Sequence, residues 1–153
     1  MVIRPFAEAD VPGILAIEQA CAEFPWSENQ FLSSVAAGHY CGQLEVDGEI
    51  IGFSIFSLVV DEACLLDIAV LPRYQGRGYG RQLLSQGLAQ MQALGASSCY
   101  LEVRVSNLSA QALYKSMGFE VVGERKDYYP ARDGRENGWV MSRQLPVSPA
   151  AEV

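Results

Sequence analysis

The chain has 153 residues, half of them hydrophobic and 19 % charged, with a formal net charge of −7. That length suits one domain with a substantial core, and the composition excludes a disordered or fibrous chain. The acidic balance argues against non-specific nucleic-acid binding, which depends on neutralising phosphates; it suits a cationic partner, or serves solubility alone.

Val2–Phe6 reads as a short first strand. Asp10 is placed to cap a helix with Pro12 in its first turn, and Ile14, Leu15, Ile17 and Cys21 have helical spacing. Phe24-Pro25-Trp26 breaks that helix, and Ser27-Glu28-Asn29-Gln30 is a capping-box pattern for a second one, through Val35, ended by Gly38. Three strands are expected next, over His39–Val46, Ile50–Val60 and Ala63–Val70, with Asp47-Gly48 as the hairpin turn between the first two. A glycine-rich stretch, Leu71–Arg81, then leads into a helix over Gln82–Leu94, closed by Gly95. Ser98–Val103 is β-rich, and Ser106 or Asn107 can cap a helix to Met117, with Gly118 behind it. Phe119–Lys126 and Gly138–Leu145 should form a final antiparallel pair, joined by a long turn containing Asp133-Gly134. The order β-α-α-β-β-β-α-β-α-β-β calls for an α/β (α+β) domain over residues 1–145, with a mixed sheet and helices on both faces. Residues 146–153 read as a flexible tail.

The four cysteines are widely spaced, and no pair has zinc-ligand spacing, so reduced structural thiols, no metal and a cytoplasmic protein are expected. The start Met1-Val2-Ile3-Arg4-Pro5 has no signal-peptide core, and Ile50–Val60 is too short an apolar run to span a bilayer.

The glycine stretch is the strongest chemical signal. Gly76, Gly78 and Gly80 alternate across a strand-to-helix junction, where the first helical amides are unpaired and the helix dipole favours an anion. Arg73, Arg77 and Arg81 add positive charge. An ordinary glycine-rich turn would look the same. Position 81 is arginine, which departs from the dinucleotide fingerprint, and the first lysine is Lys115, which excludes the nucleoside-triphosphate loop. Glu102 is a carboxylate in an interior strand, sharing a face with Tyr100 and Arg104, so it is either functional or ion-paired, with Arg104 or another basic group. Tyr114 has spacing that also suits a core tyrosine, and Asn107 could be a plain cap. His39, the lone histidine, has no partner in sequence, and a cysteine nucleophile has no base nearby. Phe24, Trp26, Tyr128 and Tyr129 are aromatics in expected loops, suited to lining a cleft or to packing on a sheet edge.

The pattern Gln75-x-x-Gly78-x-Gly80 before an amphipathic helix resembles the acyl-coenzyme A loop of the GNAT acetyltransferases. Phe24-Pro-Trp-Ser-Glu-Asn29, Asp67-Ile-Ala-Val70, Leu101-Glu-Val-Arg-x-Ser-Asn107, Ala112-Leu-Tyr-x-Ser-Met-Gly-Phe119 and Tyr128-Tyr-Pro-x-x-Asp-Gly-Arg-Glu136 extend the resemblance over nearly the whole chain. They narrow it to the bacterial branch that acetylates the N-terminal alanine of a small-subunit ribosomal protein. The resemblance implies the GNAT fold and acetyl-coenzyme A as acetyl donor. It implies a protein or peptide N-terminus as partner, neither nucleic acid nor membrane, and a monomer or weak dimer. By the same resemblance Ile68, Ala69 and Val70 would offer backbone to the pantetheine arm. Gly76, Arg77, Gly78, Tyr79, Gly80 and Arg81 would hold the pyrophosphate, and Asn107 would touch the cofactor. Glu102 would be the general base and Tyr114 the general acid, with Phe24, Trp26, Tyr128 and Tyr129 walling the substrate cleft. Gly76 and the aromatic Tyr79 depart from the family pattern without removing a backbone donor. A lysine or small-amine acetyltransferase, or an acyl-coenzyme A sensor without activity, would share the same loop.

Overall fold

A computed structural model describes residues 1–146, and the tail expected over residues 146–153 lies outside them except for Pro146. The elements follow the anticipated order: β1 (Val2–Pro5), α1 (Val11–Cys21), α2 (Glu28–Ala36), β2 (Tyr40–Val46), β3 (Glu49–Val59), β4 (Glu62–Val70), α3 (Tyr79–Ala93), β5 (Ser98–Arg104), α4 (Leu108–Ser116), β6 (Glu120–Ala131) and β7 (Gly134–Gln144). They build one seven-stranded sheet in the order β1-β2-β3-β4-β5-β7-β6, antiparallel except between β4 and β5.

Both faces of the sheet are covered, and β3 shows it most directly, since Ile51 to Phe56 are all buried. Phe53 and Ile55 pack with Ile14, Ile17 and Phe31 of α1 and α2. Phe56 packs with Leu84, Leu88 and Met91 of α3. That contact needs Gly87, because a Cβ there would lie 2.1 Å from the Phe56 ring.

Local signals explain most boundaries. Both bonds of the Ser27/Gln30 capping box form. Asp47 and Gly48 both take positive φ, as the tight hairpin requires. Three expectations need correction. Asp10 does not cap α1: its carboxylate accepts from the Ala7 amide across a 3-10 turn over Glu8–Asp10, so α1 begins from a preformed turn. Helix α3 starts at Tyr79, three residues earlier than expected, because left-handed Gly78 is itself the N-cap. The long final turn is in fact strand: β6 runs to Ala131 and β7 starts at Gly134, and Pro130 is tolerated because β6 is an edge strand. Tyr128 and Tyr129 therefore lie on a strand, with a register shift between Arg125 and Tyr129 where Asp127 takes φ 48°.

The site is set by a separation within the sheet. Strands β4 and β5 pair only over Glu62–Cys64 and Ser98–Tyr100. Beyond that, β4 follows β3 to Val70 and β5 follows β7 to Arg104. A bulge in β4, where Leu66 has no counterpart between Ile55 and Phe56, turns it away from β5. The widening gap opens the sheet at its centre.

Candidate active site

Two cavities meet at this gap. One, of about 590 Å³, lies between the end of β4, the glycine loop and α4. The other, of about 940 Å³, lies between the α1–α2 connection, β5 and the β6–β7 hairpin. Cys21, Ile68, Asn107 and Tyr114 line both, so the two form one passage.

In the first cavity Gly76 and Gly78 have φ of +77° and +86°, a conformation that strains other residues, and a Cβ on either would project into open space. The first intrahelical bond after the turn is donated by Gln82 to Gly78, which leaves the amides of Tyr79, Gly80 and Arg81 without helical partners. The Gln75 side chain folds back to donate to the Val70 carbonyl at 2.8 Å and holds the loop. Gly80 serves packing rather than the turn, with its Cβ position 3.5 Å from Leu113. Ile68, Ala69, Val70, Gly76, Gly78, Tyr79, Gly80, Arg81 and Asn107 all line this cavity. The arginines contribute less free charge than the sequence suggests. Arg73 pairs with Glu49, Arg77 lies over the Tyr74 ring at 5.4 Å outside the lining, and Arg81 donates to Ser116 Oγ at 2.5 Å. An anion at this loop would meet backbone amides rather than free guanidinium charge.

In the second cavity Glu102 faces the gap, while Leu101 and Val103 point into the core. Its ion-pair partner is Arg125 of β6, at 3.2 Å. Arg104 instead pairs with Glu136 at 2.9 Å and donates to the Pro130 carbonyl. The Arg104 guanidinium is also held between the rings of Phe24, at 5.1 Å, and Tyr129, at 4.7 Å. It therefore ties the two walls of the cleft together, a role the sequence did not signal. Phe24, Trp26 and Tyr129 line the cleft. Tyr128 does not: it stands outside, edge-on to Tyr129 at 5.0 Å and under Arg125. His39 lies away from both cavities and bonds Ser34 Oγ.

Tyr114 is buried at the junction, packed edge-on to Phe119 at 6.0 Å, and burial pushes its hydroxyl well above the usual phenol range, with the nearby Asp67 charge adding to the shift. It keeps its proton at every working pH. Asn107 is the α4 N-cap, its side chain accepting from the Ala110 amide at 3.2 Å, while also facing both cavities. Buried Gln111 donates to the Arg104 and Val105 carbonyls and locks α4 to the end of β5.

All four cysteines are free; Cys41 and Cys99 are buried, whereas Cys21 is exposed and its thiol donates to the Val70 carbonyl. Burial pushes Cys41 up to about 11 and Cys99 up to about 12, so neither is a nucleophile.

Two further carboxylates line the cleft, Glu18 and Asp67. Burial, then the charge of Glu18 and a hydrogen bond with it, push Asp67 up to about 9. Both had a signal in the sequence: Asp67 interrupts the apolar run of β4, and Glu18 falls four residues after Ile14 on the buried face of α1.

Residues 11–119 match the acetyltransferase (GNAT) family. The chain belongs to the GNAT acetyltransferases. Its sequence is 42 % identical to the [ribosomal protein bS18]-alanine N-acetyltransferase of Escherichia coli K12 over 146 residues, 95 % of this chain and 97 % of that one. It is 39 % identical to the enzyme of the same name from Haemophilus influenzae, over 94 % of this chain and 99 % of that one. The crystal structure of the ribosomal-protein-S18-alanine N-acetyltransferase from Escherichia coli superposes with a TM-score of 0.91 at 39 % identity, covering 96 % of this chain and 95 % of that one. Ard1 from Thermoplasma volcanium superposes at 0.83 with 26 % identity, over 95 % of this chain and 97 % of its own. This GNAT enzyme is an N-acetyltransferase, and its acetyl donor is acetyl-coenzyme A. The chain fits that donor: free amides surround an open space at the loop, and β4 has an unpaired edge along the gap. Among the described residues, no helix is long and apolar enough to cross a membrane.

Proposed function

We propose that this GNAT enzyme is of the RimI type and acetylates the N-terminal alanine of ribosomal protein bS18, as its 42 % identical relative is named for doing. The observation that carries the reading is the passage itself. An amide-lined loop lies at one end, an acidic aromatic cleft at the other, and Tyr114 where they join.

In this reading the amides of Gly76 to Arg81 receive the diphosphate, Ile68, Ala69 and Val70 receive the pantetheine arm, and Asn107 closes on the donor. Phe24, Trp26 and Tyr129 wall the incoming N-terminus, with Tyr128 at the rim. An α-amine has a pKa of about 8, so much of it enters protonated at neutral pH. Glu102, through a water, takes that proton. The neutral nitrogen then attacks the thioester carbonyl, forming the amide as the carbon–sulfur bond breaks. The Tyr114 hydroxyl, held protonated by burial, donates to the departing sulfur, and the second proton, which the nitrogen sheds as the amide forms, returns through solvent to Tyr114. No covalent enzyme intermediate is needed, and holding both reactants in line supplies several kcal/mol of the roughly 7–11 available from proximity. A basic ribosomal substrate suits the net charge of −7. The same reading has the enzyme act in the cytoplasm as a monomer or weak dimer.

The test compares a peptide carrying the bS18 N-terminus with the same peptide blocked at its α-amine. Turnover only on the free form supports the reading. Equal turnover on a blocked, lysine-containing peptide would make the enzyme a side-chain acetyltransferase, and donor binding without turnover on any amine would make it a sensor.

A further inference from the structure

Two carboxylates in the cleft, buried Glu18 and half-buried Asp67, have no part in the transfer just described. Glu18, on the inner face of α1, is 4 % exposed, and its Oε2 accepts the Trp26 amide at 3.0 Å. Asp67, beside the β4 bulge, accepts the Ile68 amide through Oδ1 at 2.9 Å. Its Oδ2 is buried and meets no donor. Glu18 is the carboxylate with which Asp67 shares a side-chain hydrogen bond, and both line the same cavity. If both groups were ionised, two negative charges would face each other in the cleft wall and the buried Oδ2 would stay unsatisfied. A proton on Asp67, donated to Glu18, removes both penalties. The other titratable groups facing the pair among the described residues are the Cys21 thiol of α1 and the Tyr114 hydroxyl of α4, and neither supplies a positive charge.

The Trp26 bond matters because the wall it belongs to has few others. From Glu23 to Trp26 the hydrogen bonds among the described residues are two: the exposed Arg132 to Glu23, and the Trp26 amide to Glu18. Glu18 is thus the internal hydrogen-bond anchor of the Phe24–Trp26 backbone, beside the packing of Trp26 on Phe31 and of Phe24 on Arg104.

We propose that Asp67 serves as a neutral hydrogen-bond donor that fixes Glu18, and that Glu18 fixes the Trp26 backbone and with it the substrate-facing wall. Both are positioning residues. Neither exchanges a proton with the substrate or the leaving group. The inference rests on the N-terminal amine reading for the kinetic effect of the wall, and on the geometry alone for the state of Asp67. As pH rises into the alkaline range Asp67 gives up its proton, a second charge appears beside Glu18, and the wall loosens.

The experiment uses the full chain, acetyl-coenzyme A and a peptide with a free N-terminal alanine. Asp67→Ala should raise the peptide KM about tenfold at pH 7, the range expected for a buried acceptor left unpaired, with the donor Kd unchanged. Asp67→Asn should restore KM to within about twofold, since an amide N–H donates the same bond. It should also abolish the alkaline rise in KM relative to wild type. Independently of activity, carboxyl ¹³C resonances should show Asp67, identified by its loss in Asp67→Asn, titrating above pH 7, with the Trp26 amide shift following the same curve. Titration of Asp67 near pH 4 would overturn the proposal. So would an Asp67→Asn enzyme with kcat reduced tenfold and KM unchanged, which would make the proton part of the chemistry. If the peptide is no substrate, the amine reading fails, and the two resonances still decide the state of Asp67.

Discussion

Replacing Gly78 by alanine separates the strain of the loop from its ligand contact. Gly78 has φ +86° and no atom within 4 Å of its Cβ position, so alanine meets no steric clash, only the left-handed backbone. That conformation costs a non-glycine residue about 1–2 kcal/mol. A domain of this size loses roughly 2–4 °C in Tm per kcal/mol, so Tm should fall by roughly 2–8 °C. The open space is also where a diphosphate would approach the Tyr79, Gly80 and Arg81 amides, and a methyl there would hold it off. One weakened charge-assisted bond is worth about 1.5–3 kcal/mol, so coenzyme A Kd should rise at least about tenfold. Gly38→Ala is the control: its φ is +76°, its Cβ position is equally open, and it lies at the end of α2. Thermal melts and calorimetric titration with coenzyme A on both variants would check this. The same Tm loss in both, with Kd raised only in Gly78→Ala, is expected. A Gly78→Ala protein that binds coenzyme A within twofold of wild type would refute the assignment of the loop.

Tyr114→Phe should retain donor affinity and lose most of its turnover, because burial and packing are kept while the donor hydroxyl is removed; an unchanged steady-state rate would take Tyr114 out of the mechanism. Glu102→Gln should slow the reaction most at lower pH, where deprotonating the amine limits, and a mutant-to-wild-type ratio that stays flat with pH would leave Glu102 only its ion pair with Arg125. Gly87→Ala should lower stability by about 2 kcal/mol in urea unfolding despite its better helix propensity, since the Phe56 ring must move; adding Phe56→Leu should recover part of the loss. Asp67 gives a pH dependence with a defined sign. Its folded-state pKa is raised from 3.8 to about 9, so its contribution is complete below about pH 4 and is lost as pH rises toward 9. The urea midpoint of Asp67→Asn relative to wild type should therefore climb through that window, and a constant difference would count against the shared proton.

What the sequence determined by itself was local. The Ser27/Gln30 capping box, the Asp47-Gly48 turn and the outward face of Glu102 are set within a few residues by backbone preference and period-2 alternation, and all three form. The glycine loop was legible for the same reason: positive φ at Gly76 and Gly78 is a local demand. The final hairpin misled because Tyr128-Tyr129-Pro130 and Asp133-Gly134 carry turn residues, and only pairing with β7 across an edge keeps the chain extended there. The tertiary structure alone decided where charges meet. Glu102 finds Arg125 and not its strand neighbour Arg104, because β6 pairs with the far side of β7 and the long Arg125 side chain reaches across that strand. Asp67 meets Glu18 because α1 packs against the bulged end of β4. Ion pairing and desolvation depend on distance and burial, and those are properties of the packed chain rather than of neighbours in sequence.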